Sequence, residues 1–416
     1  MRKLLLLLLL CLSSSGFAQK IRDSIYSERL ETNRYLTVSL PSSYNKDSKK
    51  TYPLLILLDG DYLFDPFQGA IRYGNYWDDL PEIIIVAVSQ GKENERYDDC
   101  TFDETTGLPD GKGEKFFEFI GGELLSYVQK KYRTSNFKMI AGHDVTAGFI
   151  NLFLYKELPV FNGYISLSPD LFTDMPVLVP ERLATFKQNI FYYQSVADGD
   201  IKKMKDKITA LDGNIKLVKN PSLNYTYDEI KGASHYSLVL YSIPNALYHF
   251  FATYQPISNS EFQEKIVKLE SGYVDYLKNK YDVLEKSVGI KMNIRINDFK
   301  AIEAAILKNK AYNEFELLAQ LSNKMYPKSM LGEYHMAMYY EKNGDVKRAA
   351  KSYLTAFQME PIGDLTKDMM LDKAEELKSL IPKSEKGKKG SAAEETPAAE
   401  IPAETPTEAP TEEKKP

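Results

Sequence analysis

Six short runs between residues 35 and 194 constrain the fold most: 35–40 (YLTVSL), 54–58 (LLILL), 82–88 (EIIIVAV), 138–141 (KMIA), 163–167 (GYISL) and 190–194 (IFYYQ). A strand with water on one face alternates apolar with polar residues. The most apolar of these runs do not, so they read as strands covered on both faces. Between them, residues 115–132 place Phe116, Phe119, Ile120, Leu124, Tyr127 and Val128 on one helical stripe. Strand and helix alternate up to about Gln255, which predicts an α/β domain with a mainly parallel sheet and helices on both faces.

Beyond Pro256 the pattern is helical only, over 261–281, 299–307, 313–325, 332–342 and 346–359. Ala337, Tyr340, Ala349, Tyr353, Ala356 and Pro361 fit the tetratricopeptide (TPR) pattern, with a turn expected near Asn343-Gly344. A more degenerate repeat is expected over roughly 296–329, since Pro327 lies about one repeat length (~34 residues) before Pro361. Glu333 stands where the pattern prefers Trp, and an ordinary helical hairpin is the alternative. From Lys383 the chain is Lys, Glu, Pro, Ala and Thr with little bulky apolar content, so a disordered tail is expected.

Met1-Arg2-Lys3, the leucine run 4–10 and the small residues Gly16 and Ala18 are the parts of a secretory signal peptide, with cleavage expected after Ala18. The run is shorter than the ~20 residues of a spanning helix. Cys11 lies inside it without a small-residue lipidation box, so an exported, unlipidated, most simply periplasmic protein is expected. Cys100 is then the sole remaining cysteine, which excludes an intrachain disulfide. With 416 residues, 43% of them hydrophobic, the chain can bury a large core in more than one domain. A net charge of -5 gives no electrostatic footprint for nucleic acid. The expected units are 1–18 (signal), 19–256 (α/β), 257–382 (helical repeats) and 383–416 (tail).

The segment 139–149 (MIAGHDVTAGF) runs from an apolar strand into a helix, the setting of the G-x-S-x-G nucleophile elbow. With 36–44 (LTVSLPSSY), 57–61 (LLDGD), Arg96 followed by Asp98 or Asp99, 116–133 (FFEFIGGELLSYVQKKYR) and 161–170 (FNGYISLSPD), it resembles the putative-esterase family of α/β-hydrolases, which includes enterobactin esterases and esterase D. The resemblance implies the α/β-hydrolase fold, a nucleophile at position 144, a base at His235 and an acid at Asp198 or Asp200. It further implies an oxyanion loop at Asp59-Gly60-Asp61, with backbone donors at Gly60, Asp61 and Val145. Tetratricopeptide-like repeats also follow this domain in exported members of the family.

The departure is chemical. Where the family has Gly-His-Ser-x-Gly-Gly, this chain has Gly142-His143-Asp144-Val145-Thr146-Ala147, losing the serine hydroxyl and the glycine two residues on. A β-branched Thr146 is expected to crowd the elbow. His143, His249 and His335 read as structural, no metal-ligand spacing is present, and no cofactor is expected. The expected function is therefore a catalytically inactive esterase-like protein that binds other envelope proteins through its helical repeats, with no nucleic-acid partner and no integral membrane segment. The alternative is an exported hydrolase of small esters, epoxides or siderophore-like substrates. In that reading Asp144 is a covalent nucleophile, because Gly-His-Asp also resembles the elbow of epoxide hydrolases and haloalkane dehalogenases. Against it stand Thr146 and the lack of a cap insertion to supply polarising side chains.

Overall fold

The computed structural model describes residues 20–92, 94–103 and 105–381. The signal peptide, Cys11 and the tail lie outside the described residues. Eight strands form one sheet in the order β1-β2-β4-β3-β5-β6-β7-β8. They are β1 (Lys20–Ser27), β2 (Thr32–Ser39), β3 (Tyr52–Leu57), β4 (Ile84–Val88), β5 (Thr134–His143), β6 (Gly163–Leu167), β7 (Ile190–Ala197) and β8 (Leu223–Ile230). β1 pairs with β2 and β2 with β4 antiparallel; every later pairing is parallel. This is the mainly parallel α/β sheet anticipated from the apolar runs, and it has the α/β-hydrolase architecture that the family resemblance implies. The central strands β3, β4 and β6 are buried along their whole length because helices cover both faces.

Alternate residues of β3 feed two cores. Leu55 and Leu57 join one hydrophobic cluster, while Leu54, Ile56 and Leu58 join the other. The second face is covered by the helical stretch 112–131, whose middle turn Phe119–Leu124 is a π-helix, and by Met175–Thr185 and Lys202–Ile215. The first is covered by α1 (Gly60–Tyr76) and, after the short elbow helix α2 (Val145–Phe149), by α3 (Leu238–Phe250).

The C-terminal region is all helical: α4 (Tyr273–Val288), α5 (Ile296–Asn309), α6 (Glu314–Met325), α7 (Leu331–Lys342), α8 (Val346–Phe357) and α9 (Lys367–Ser379). The single helix expected over 261–281 is instead broken before Gly272, whose φ of 81° ends the preceding turns and starts α4. The turn between α7 and α8 falls at Asn343-Gly344, with Gly344 at φ 81°. Ala337, Ala349, Tyr353 and Ala356 are buried between helices, and Pro361 is exposed. One hydrophobic cluster runs without interruption from Leu55 through α3 to Leu377. The helices therefore share a core with the sheet. Arg295 secures the same junction, donating to Asp78 Oδ2 at 2.5 Å and to the Tyr254 carbonyl at 2.7 Å. Among the described residues, no helix is long and apolar enough to cross a membrane.

Candidate active site

β5 is an interior strand, and its C-terminal end delivers Asp144 at φ 60°, ψ -120°. This is neither helical nor extended, a conformation that costs of order 1–3 kcal/mol and persists only where its surroundings enforce it. Two glycines do so. A Cβ on Gly142 would stand 2.6 Å from Thr146 Oγ1, and one on Gly148 would stand 2.0 Å from the Asp170 carbonyl oxygen. The strand thus turns into α2 with no space between them.

The expected crowding by Thr146 does not occur. Its side chain fills the space that Gly142 leaves, accepts from the His143 amide at 2.9 Å and donates to Asp59 Oδ2. A side chain at this position is tolerated because its hydroxyl is satisfied and its partner glycine gives way to it.

Asp200, past the end of β7, and His235, past the end of β8, converge on Asp144. His235 Nδ1 donates to Asp200 Oδ1 at 2.6 Å, and His235 Nε2 faces Asp144 Oδ1 at 3.8 Å. Asp200 Oδ2 accepts from the Ser168 hydroxyl and from the Ala197 amide at 2.7 Å. Burial alone would raise the Asp200 carboxyl, but the hydrogen bonds from His235, Ser168 and Ala197 outweigh it and hold the group below its usual range. The hydrogen bond to Asp200 in turn raises His235, with the charge of Asp144 adding to the effect. Of the two aspartates open as the acid, Asp198 instead ties the loop after β7 to the connection after β8, accepting from the Gly232 amide at 2.7 Å, and faces Lys205 Nζ at 3.8 Å.

Sequence reasoning assigned Arg96 no part in the site. Its guanidinium donates to Asp59 at 2.5 and 3.3 Å, to the His143 carbonyl at 2.7 Å and to Asp144 Oδ2 at 3.2 Å. The Asp59 amide donates to Gln90 Oε1 at 3.0 Å. Gln90 Nε2 donates to Asp99 Oδ2 at 2.8 Å, and Asp99 pairs with buried Arg34. Burial outweighs Arg34 and pushes the Asp99 carboxyl up to about 6. Asp99, and not Asp98, is thus the acidic partner in this network, since Asp98 holds Lys112 at the surface.

The Asp61 carboxylate turns away, to Ser89 Oγ at 2.7 Å and the Gln90 amide at 2.8 Å. Among the described residues, the amides of Gly60, Asp61 and Val145 have no protein acceptor. Gly60 and Asp61 open α1 and Val145 opens α2. The side chains of Asp144, His235 and Arg96 are 24%, 20% and 19% exposed, so solvent reaches the point where they meet. His249 contacts Thr226, and His335 is buried against Ser322, both remote from this cluster. No group of three or more His, Cys, Asp or Glu side chains among the described residues is disposed to hold a metal ion.

An elbow, an imidazole and a carboxylate thus stand together at the ends of three sheet strands. Residues 27–196 match the family described as Putative esterase. The matched segment holds the elbow and Arg96, while His235 follows it. A solved structure of an uncharacterised protein from Capnocytophaga ochracea is 29% identical, with a TM-score of 0.79, and the match covers 87% of this chain and 100% of that one. It therefore includes the C-terminal helices. An IroE-like serine hydrolase from Shewanella oneidensis is 20% identical with a TM-score of 0.56, covering 74% of this chain and 99% of its own. At that identity the likeness shows the fold alone. No functionally curated protein matches the chain.

Proposed function

We propose that this esterase-type domain is a hydrolase in which the Asp144 carboxylate replaces serine as the nucleophile, acting on a small alkyl electrophile such as an epoxide. The observation that carries this reading is the convergence of Asp200, His235 and Asp144 at a strained elbow, with Asp200 hydrogen-bonded to His235 at 2.6 Å and Asp144 facing it at 3.8 Å. A strained elbow held beside an aligned imidazole and acid is the arrangement that nucleophilic catalysis uses. In place of a polarising side chain from a cap, the proton on His235 Nε2 would serve the leaving oxygen, since Arg96 is committed to Asp59, the His143 carbonyl and Asp144 itself.

Carboxylate attack at a saturated carbon leaves an ordinary ester, which water can cleave. In the first step Asp144 Oδ1 bonds to the epoxide carbon, the ring C–O bond breaks, and the alkoxide takes the proton of His235 Nε2. Esterification removes the negative charge of Asp144, one of the influences that raise His235, so the neutral imidazole becomes available as a base. In the second step His235 takes a proton from water. The hydroxide adds to Asp144 Cγ, the diol oxygen leaves with that proton, and the carboxyl proton returns to His235. The amides of Gly60, Asp61 and Val145 are candidate donors to the oxyanion. The test is turnover of an aryl epoxide by the purified protein, its loss in Asp144→Asn and in His235→Gln, and an ester adduct on Asp144 trapped by rapid acid quench of the wild type. No turnover and no adduct would remove the reading.

A second reading is favoured by one contact. The Arg96 ion pair on Asp144 Oδ2 satisfies part of the carboxylate and is equally suited to a site retired from catalysis. In that case the chain is an exported binding protein and the tetratricopeptide-like helices contact envelope partners. Because α5–α9 share the hydrophobic cluster of the sheet, deleting them would unfold both regions. Exposed positions such as Leu317 and Met369 are the proper sites for interaction-blocking substitutions.

A further inference from the structure

We propose that His143 is a positioning residue: a neutral imidazole protonated on Nε2 that holds the His235 loop in register with Asp144. His143 is 2% exposed, at the last position of β5. Its Nε2 lies 3.0 Å from the His235 carbonyl oxygen, and its Nδ1 lies 3.0 Å from the Tyr62 hydroxyl. A carbonyl only accepts, so the proton is on Nε2. Nδ1 must then accept, and the Tyr62 hydroxyl donates to it. The opposite tautomer would set two lone pairs against each other at 3.0 Å inside the protein.

The two contacts join three separate segments. Tyr62 is on α1 next to the oxyanion loop, His143 leads into the elbow, and His235 lies in the β8–α3 connection. The two imidazoles lie 4.5 Å apart at 36°, so a proton on one disfavours a proton on the other. Burial, then the neighbouring His235, hold His143 below the usual histidine range, which agrees with the tautomer the geometry requires. The other groups facing it are Asp59, Asp144 and the edge of Tyr236, while Arg96 is bound to the His143 carbonyl. His143 touches no reacting atom in the proposed cycle; it acts through His235.

Two arms test this, and only the second rests on the hydrolase reading. In the first, imidazole nitrogen NMR of the full chain is expected to show His143 neutral, with the proton on Nε2, across the pH range in which His235 titrates. Tyr62→Phe, which removes the donor to Nδ1, is expected to make His143 titrate at higher pH. In the second, His143→Gln can donate its amide N–H to the His235 carbonyl and accept from Tyr62, so it is expected to keep most of kcat. His143→Leu can do neither and is expected to lose about a hundredfold in kcat at little-changed KM, the usual consequence of a misplacement near 1 Å. A proton on Nδ1, a charged His143 at neutral pH, or an unmoved His235 titration in His143→Leu would overturn the assignment. If His143→Leu does not fold, the wild-type tautomer still decides it. Failure of turnover alone would count against the hydrolase and leave the NMR result standing.

Discussion

Arg96 reaches Asp144 Oδ2 with one nitrogen at 3.2 Å while keeping its shorter contact, 2.5 Å from Nε, on Asp59. Its first obligation is therefore to Asp59, which is 2% exposed and would otherwise be a buried charge without a partner. The bond to Asp144 is the longer one, and the carboxylate keeps Oδ1 directed at His235. Removing Arg96 thus acts first on folding. Arg96→Ala is expected to destabilise the protein by about 3–5 kcal/mol, the usual cost of leaving one member of a buried pair. Arg96→Lys, which keeps the charge but not the fork, is expected to lose less. Urea unfolding of the two variants checks the order.

The two adjacent histidines make opposite contributions to stability as pH changes. His235 is raised in the folded state, so its contribution is fully present below about 6.5, the unfolded value, and is lost as pH rises through the folded value. His143 is lowered, so it costs stability as pH falls below about 6.5 toward its folded value, because the unfolded chain then binds the extra proton. Asp200 is lowered, and its contribution is present above about 3.8 and lost as pH falls through the folded value. Thermal unfolding of wild type and Asp200→Asn is therefore expected to differ most between about pH 4 and 6.5, with the gap closing on the alkaline side. A gap that widens from pH 6.5 to 9 would contradict the raised His235.

Asp144→Ser is expected to gain aryl acetate hydrolysis, because the elbow, His235 and Asp200 already hold serine-hydrolase geometry and Thr146 is accommodated over Gly142. The measure is kcat/KM for an aryl acetate against wild type and Asp144→Ala. A gain of at least about tenfold, roughly 1.4 kcal/mol of transition-state stabilisation, is the expected sign of a working serine. No gain would mean the Val145 and Gly60 amides are not aligned on an oxyanion.

How far these features were legible in the sequence depended on what kind of signal each leaves. β3, β4 and β6 were readable because double-sided burial writes an unbroken apolar run. β1 and β8 were not, since KIRDSIYS and LNYTYDEI are edge strands whose residues are largely polar and partly exposed. α1 was hidden by Pro66, Gly69 and Gly74, residues that normally interrupt helices. Asp144 and His235 were found by motif, and the choice between Asp198 and Asp200 was settled only by geometry, because both sit in the same Asp-Gly-Asp turn. Arg96 was visible as a motif residue but not as a site residue. It lies 37 positions from Asp59 and 48 from Asp144, and nothing local says that a short helical turn brings the three together. Thr146 was misjudged for the same reason, since the space it occupies is set by Gly142 and Asp59 across the turn.

The central claim is that Asp144 forms and loses a covalent bond in each cycle, and water labelled with heavy oxygen tests it most directly. After many turnovers of an aryl epoxide in such water, the peptide containing Asp144 is expected to carry the label in its carboxylate, because hydrolysis occurs at Asp144 Cγ and not at the substrate carbon. In one limiting turnover the diol is expected to carry an unlabelled oxygen taken from the protein. His235→Gln, which removes both the proton for the alkoxide and the base for the ester, should abolish turnover, and rapid acid quench of the wild type should show the peptide heavier by the mass of the substrate. Turnover with the label entering the diol directly and Asp144 unlabelled would contradict the account, and so would the absence of both turnover and adduct.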